Sequence, residues 1–370
     1  VSGPVVLAGG GTGGHVFVAR AVAQALAAKG LRPEELRFVG SQRGQERELL
    51  ATSGIELVLL PGRGLLRRLS VGAFFQNLGS LWAATRALTR SVVLLHSWKP
   101  RAVVSVGGYA AAPAALAAVL LRRPLILVNV DAVPGLTHRL LGRFATASCV
   151  ASTGSGLPRE VPVGIPVRAE FASFERSDAS RARARAALGL PQDAMVIGVT
   201  TGSLGSRSVN QAILGVAQDQ RLADATIFQI SGRRDAEAVA ASVADQKRAH
   251  HFVVPFCDDM ASFYAACDLA VTRAGALSIG ELAATGTPAV LVPLPGAPGD
   301  HQTKNAQLLV RGGAGVLLSD AALTARSLSD VVVELLGDPA HLAAMSAAGL
   351  ALAHEDAAGE VAQVVLEHAR

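Results

Sequence analysis

Two stretches of the chain join an apolar strand to a glycine-rich loop and a helix, an arrangement whose chemistry is phosphate binding. Val5-Val6-Leu7-Ala8 runs into Gly9-Gly10-Gly11-Thr12-Gly13-Gly14-His15 and an expected helix over residues 19–28. Val196-Ile197-Gly198-Val199 runs into Thr200-Thr201-Gly202-Ser203-Leu204-Gly205-Ser206 and an expected helix over residues 209–217. Glycine lets backbone N–H groups approach an anion closely, and a helix start adds partial positive charge. Two such elements half a chain apart predict two nucleotide-type domains with a polyanionic ligand between them. His15 stands at the first helix start, where an imidazole can accept a proton; capping or packing is its other possible role.

Gly9, Gly11 and Gly14 also fit the dinucleotide fingerprint, which requires an acidic residue at the end of the second strand. That strand ends Phe38-Val39-Gly40-Ser41, without a carboxylate, which argues against a dehydrogenase. Asp258-Asp259 reads as a helix cap rather than a metal pair. Glu281 follows the small-residue turn Ala274-Gly275-Ala276 and suits a ribose diol, or else is an exposed acid of a first turn. Residues 293–305 begin rich in proline and glycine and then present Asp300, His301, Gln302 and Asn305. Their polar groups suit sugar hydroxyls, or simply solvent. Leu65 to Trp82, with Arg63, Arg67, Arg68, Arg86 and Arg90, reads either as an apolar-basic face for an anionic membrane or as a core-facing helix with a basic outer side.

The elements that position these groups follow from composition. The chain has 370 residues, half of them hydrophobic, with few aromatics and abundant small aliphatic residues. This fits two α/β domains of buried parallel strands covered by helices. Strands are expected at residues 5–8, 36–39, 56–60, 102–106, 125–128 and 147–151, then at 195–199, 226–230, 252–255, 269–272, 289–292 and 315–318. Residues 153–166, rich in proline and glycine, are expected to be the crossing between domains. The predicted domains are 1–160 and 161–345, with helix 346–370 a candidate to return to the first. The apolar run 102–121 is broken by Gly107-Gly108 and Pro113, so it reads as strand, turn and buried helix rather than a membrane span. A net charge of +5, spread over many helices, gives no nucleic-acid footprint. Cys149, Cys257 and Cys267 lack metal or redox spacing and read as free thiols of a reducing cytoplasm. The immediate entry into a strand leaves no secretory signal visible.

Seven segments in order carry a resemblance to a known family. They are Gly9 to Phe17, Gly107-Gly108-Tyr109, Ala132-Val133-Pro134-Gly135-Leu136, Gly164-Ile165-Pro166-Val167-Arg168, Asp258-Asp259-Met260, Gly275-Ala276-Leu277 and His301 to Ala306. The chain resembles the bacterial lipid I N-acetylglucosaminyltransferases of peptidoglycan synthesis over nearly its whole length. The resemblance implies a GT-B fold: two Rossmann-like domains with parallel sheets facing across a cleft. It implies inverting transfer of N-acetylglucosamine from UDP-N-acetylglucosamine to the C4 hydroxyl of the N-acetylmuramic acid of lipid I. The donor would be held by Arg168, Ser203, Cys257, Glu281, His301 and Gln302. The acceptor would meet Thr12, Gly13, Gly14, His15 and Asn129, with His15 and Asp131 as catalytic groups. No metal or other cofactor is implied. The partners would be the two substrates and an anionic inner-leaflet surface, at the cytoplasmic side of the cell membrane, in cell-wall growth, shape and division.

Several positions depart from the family. Val128-Asn129-Val130-Asp131 replaces His-Glu-Gln-Asn, which moves a carboxylate to Asp131. Leu204 replaces Gln, Ile165 replaces Asn, Ala274 replaces Ser and Val18 replaces Pro. Asp131 is expected to take over positioning or proton removal. The changes also leave room for a related transferase with a different acceptor, or for a relative that binds a UDP-sugar without catalysis.

Overall fold

A computed structural model describes residues 3–11, 13–42, 46–51, 53–61, 71–172, 174–202, 205–246 and 250–370, with the side chains of 71–81 and 172 excepted. It divides into two compact units, residues 1–169 with 356–370, and residues 170–355.

In the first unit the described strands are β1 (Val5–Gly9), β2 (Leu36–Ser41), β3 (Glu56–Leu60), β4 (Ala102–Gly107), β5 (Leu125–Asn129), β6 (Ala147–Val150) and β7 (Glu160–Pro162). They form one parallel sheet in the order β3-β2-β1-β4-β5-β6-β7. The chain steps outward from β1 to β3, then returns to the other side of β1 as β4. The carboxyl ends of β1 and β4 are therefore the topological switch point, where loops diverge and leave room for a ligand. The register slips there, Ala8 facing Ser105 while Gly9 faces Gly107. β1, β4 and β5 are buried along their whole lengths, as expected of central parallel strands with both faces covered.

The crossing expected at residues 153–166 contains a strand instead. β7 pairs with β6, Cys149 opposite Val161, so the expected boundary at 160 falls at the start of a strand of the first sheet. Its brevity and Pro162 concealed it, yet proline is tolerated on an edge strand because no outer neighbour needs its N–H. The Glu160 carboxylate closes the preceding turn, accepting hydrogen bonds from Gly154 N, Gly156 N and Ser155 Oγ at 2.8, 2.9 and 2.6 Å. The tail also divides. The helix Pro339–Leu352 packs on the Ala276–Thr285 helix of the second unit, while the helix Ala357–His368 packs on the Gly13–Ala28 helix of the first. Val361, Ala362 and Val365 of that last helix are fully buried, and Arg370 N donates to Arg101 O at 3.0 Å.

The second unit repeats the plan. β8 (Val196–Thr200), β9 (Thr226–Ile230), β10 (His251–Val254), β11 (Leu269–Thr272), β12 (Ala289–Leu291) and β13 (Gly315–Leu317) form a parallel sheet in the order β10-β9-β8-β11-β12-β13. Its switch point lies between β8 and β11, so the second glycine loop and the turn at Ala274-Gly275 both open there. One core cluster gathers Ile197, Val199, Val209, Ile213, Val271, Val290 and Val332 beneath the loops.

Candidate functional site

The glycine loop after β1 is shaped by two side chains that sequence reasoning gave no role. Gly10 and Gly11 have φ of 128° and 86°. A β-carbon on Gly10 would strike the Glu46 carboxylate, and one on Gly11 would lie 2.5 Å from the Tyr109 ring. Glu46 Oε1 accepts hydrogen bonds from Gly11 N at 3.0 Å and Ser41 N at 3.1 Å. Tyr109 Oη lies 3.0 Å from Ser41 Oγ. Hence a carboxylate does stand near the end of β2, but it binds the loop's own backbone. The N–H of Gly11 is thereby withdrawn from any phosphate. Gly13 and Gly14 instead open the first helix, with Gly14 exposed. Thr12 lies outside the described residues.

His15, in the first turn of that helix, is half-buried beside the Gly107-Gly108 turn after β4. Both glycines have positive φ, 94° and 78°. A β-carbon on Gly107 would lie 3.3 Å from His15 Nε2 and 3.4 Å from His138 Cε1, so two imidazoles flank one α-carbon. His138 was missing from the expected site. It is 2% exposed, with Nε2 at 3.1 Å from Ser105 Oγ and Nδ1 at 3.3 Å from Asn129 Oδ1. Burial, and secondarily the nearby His15, push its pKa down to about 4. Asn129, expected to meet the acceptor, is 5% exposed and engaged at both ends of its carboxamide, since its Nδ2 also donates to Asp131 O at 2.7 Å. Asp131 is half-buried in the loop that follows β5. Arg168, expected beside the base of the donor, belongs to the first unit, where its guanidinium lies 5.0 Å from the Phe17 ring centroid.

In the second unit the expected donor groups come from the carboxyl ends of several strands. Gly202 and Gly205 have φ of 78° and 83° and are linked by a turn hydrogen bond of 3.0 Å; Ser203 and Leu204 lie outside the described residues. Ser206 occupies the position before the helix Arg207–Val216, with its hydroxyl turned to Arg273 rather than to the helix backbone. Cys257 is half-buried after β10, with Sγ 3.3 Å from Asp259 O. Asp259 caps the next helix by accepting from Ser262 N at 2.9 Å, as its sequence position predicted. Among the described residues no group of three potential metal ligands is present.

Glu281 is neither exposed nor in the first turn: it is 7% exposed and lies in the second turn of the helix Ala276–Thr285. The loop before the helix His301–Arg311 is a tight turn with positive φ at Gly299 and Asp300. Pro298 O lies 2.9 Å from His301 Nδ1, which fixes the ring proton there and leaves Nε2 as an acceptor. Gln302 Oε1 accepts from Leu294 N at 2.9 Å, leaving its amide NH2 to donate. Asn305 Nδ2 donates to Ala274 O at 3.3 Å and ties this loop to the turn after β11.

Arg273 holds the centre of this unit and carried no sequence signal. Its guanidinium donates to Val292 O and Pro293 O at 3.1 Å, to Asp320 Oδ1 at 2.6 Å, and to Ser206 and Ser208 Oγ at 2.5 and 2.9 Å. One buried cation thus joins the ends of β11 and β12 to the helix that follows the second glycine loop.

Two Rossmann-like units, each with a glycine loop at its switch point, are the architecture of the GT-B fold. Residues 5–150 match the glycosyltransferase family 28 N-terminal domain, and residues 196–361 match the family 28 C-terminal domain. The chain is 39% identical to the UDP-N-acetylglucosamine--N-acetylmuramyl-(pentapeptide) pyrophosphoryl-undecaprenol N-acetylglucosamine transferase of Alkalilimnicola ehrlichii, over 99% of each chain. It is also 39% identical to the enzyme of that name from Salinibacter ruber, over 98% of this chain and 96% of the relative. The crystal structure of Acinetobacter baumannii MurG superposes with a TM-score of 0.74 at 28% identity, over 99% of this chain and all of that one. The chain belongs to glycosyltransferase family 28, among the lipid I N-acetylglucosaminyltransferases.

Proposed function

We propose that the protein transfers N-acetylglucosamine from UDP-N-acetylglucosamine to the C4 hydroxyl of the N-acetylmuramic acid of lipid I, forming lipid II. Near-full-length identity to enzymes named for this reaction carries the reading. The two switch-point loops supply its chemistry. The acceptor hydroxyl gives up its proton to His15 or Asp131, and its oxygen attacks the anomeric carbon from the face opposite the diphosphate. The bond from that carbon to the phosphate oxygen breaks, and UDP departs with the electron pair. The glycine loop before the helix Arg207–Val216 and the N-terminus of that helix stabilise the departing diphosphate. Glu281 accepts from the ribose diol, Cys257 offers its backbone to the base, and His301 Nε2 and the Gln302 amide meet the sugar hydroxyls. Gly13 and Gly14 face the diphosphate of the acceptor.

The enzyme works peripherally at the cytoplasmic face of the membrane. No single described helix is long and apolar enough to cross a bilayer. Most of the expected apolar-basic patch lies outside the described residues or side chains. On the helix Val71–Trp98, however, Trp82, Arg86 and Arg90 are exposed at four-residue spacing, which places an interfacial aromatic and two cations on one face. A second reading, transfer to another acceptor, draws on the burial of Asn129 in the altered 128–131 segment. The test is UDP release from UDP-N-acetylglucosamine with and without a short-chain lipid I analogue. Release that depends on the analogue is expected. Binding of the donor without release would move the assignment to another acceptor or to a relative that binds the UDP-sugar without catalysis.

A further inference from the structure

The partners of His138 form a chain with one direction. Asp131 O can only accept, so the Asn129 Nδ2 at 2.7 Å must donate to it. Asn129 therefore presents Oδ1 to the imidazole, which fixes the proton on His138 Nδ1. Nε2 is then an acceptor, and the Ser105 hydroxyl on β4 donates to it. Hydrogen bonds run from Ser105 to His138 to Asn129 to the backbone of Asp131, spanning the ends of β4 and β5. Every member except Asp131 is buried. The His138 ring and that of His15 both lie beside Gly107.

We propose that His138 is a positioning residue for the acceptor half of the reaction, fixing the 129–131 backbone relative to His15. The inference rests on the transfer reading above. An apolar side chain at 138 would leave Asn129 Oδ1 and Ser105 Oγ without their partner. The carboxamide could then turn, and the carbonyl of Asp131 would lose its donor. Burial and the proximity of His15 keep the ring neutral, so its single donor and single acceptor persist through the working pH range.

Steady-state kinetics of His138→Leu and His138→Asn, with the lipid I analogue, test this. Asparagine places an amide NH2 where the Nδ1 proton of histidine lies, so it can still donate to Asn129. His138→Leu should lose about tenfold or more in kcat, since small displacements near the reacting groups are costly. Its KM for UDP-N-acetylglucosamine should stay within roughly twofold, because Cys257, Glu281, His301 and Gln302 lie in the other unit. His138→Asn should recover most of the lost kcat. Equal kcat in His138→Leu and wild type, or no recovery in His138→Asn, overturns the proposal. If His138→Leu fails to fold, the ring-nitrogen shifts of wild-type enzyme labelled with 15N-histidine decide: a protonated Nδ1 is expected, and a protonated Nε2 overturns it. Asp131→Asn in the same assay isolates the earlier reading. Unchanged turnover there, with loss in His138→Leu, removes Asp131 as the proton acceptor and leaves His138 in its positioning role.

Discussion

At the scale of single residues, His138 ties stability to pH. The unfolded chain binds a proton at this residue near its ordinary value of 6.5, whereas the native chain binds one only near 4. Between these values the unfolded state holds more protons, so the contribution is complete above pH 6.5 and is lost as pH falls toward 4. Going from about pH 7.5 to about pH 4.5 should cost wild type ~2–3 kcal/mol more stability than it costs His138→Asn, as urea unfolding would measure. Equal losses in the two proteins would contradict the buried neutral ring. Cysteines offer a second reading at this scale. Cys149 and Cys267 are buried, and burial raises both thiols, Cys149 to about 12. The half-buried Cys257 should therefore be the one that N-ethylmaleimide modifies first. UDP should protect it, because the proposed donor site reads the base at its backbone; modification at the same rate with UDP present would speak against that placement.

At the scale of elements, the loops depend on side chains distant in sequence. Glu46 satisfies the N–H groups of Gly11 and Ser41 from a short helix, Glu46–Leu49. Glu46→Ala would orphan two backbone donors and should cost at least ~2 kcal/mol by urea unfolding, with turnover falling alongside. Glu46→Gln keeps an acceptor oxygen and should retain most of both; equal damage from the two substitutions would show that charge, not the hydrogen bond, matters. This dependence also marks what the sequence could and could not reveal. Short apolar runs such as residues 5–8, 125–128 and 196–199 announce buried strands by composition alone, and the two glycine loops announce themselves by following the first and last of these. β7 did not, because three residues that include Pro162 carry no periodicity. Glu46, His138 and Arg273 were invisible for a different reason. None stands in a spacing that marks chemistry, and each takes its meaning from partners on other elements. Family motifs pointed toward Glu281, His301 and Gln302, yet only the packing shows that Glu281 is buried and that His301 Nδ1 is already engaged. The same motifs suggested an acceptor contact at Asn129, and packing shows that its carboxamide also links His138 to the Asp131 backbone.

At the scale of the molecule, the two units are built alike but threaded differently. The second is one continuous segment, residues 170–355, while the first needs residues 356–370 as well. Those last residues bury Val361, Ala362 and Val365 against the helix that carries His15. On a ribosome this ordering has a cost. The helix Gly13–Ala28 of the first unit is made early, yet the surface that covers it follows the whole of the second unit. At translation rates of about 5–20 residues per second, roughly 10–40 s pass while the intervening unit is synthesised. Throughout that interval the nascent first unit displays an uncovered apolar stripe, and the later-made unit can finish folding before the earlier one. A chain terminated a dozen residues early would still hold a complete second unit, but it would expose on its first the stripe that chaperones and proteases recognise.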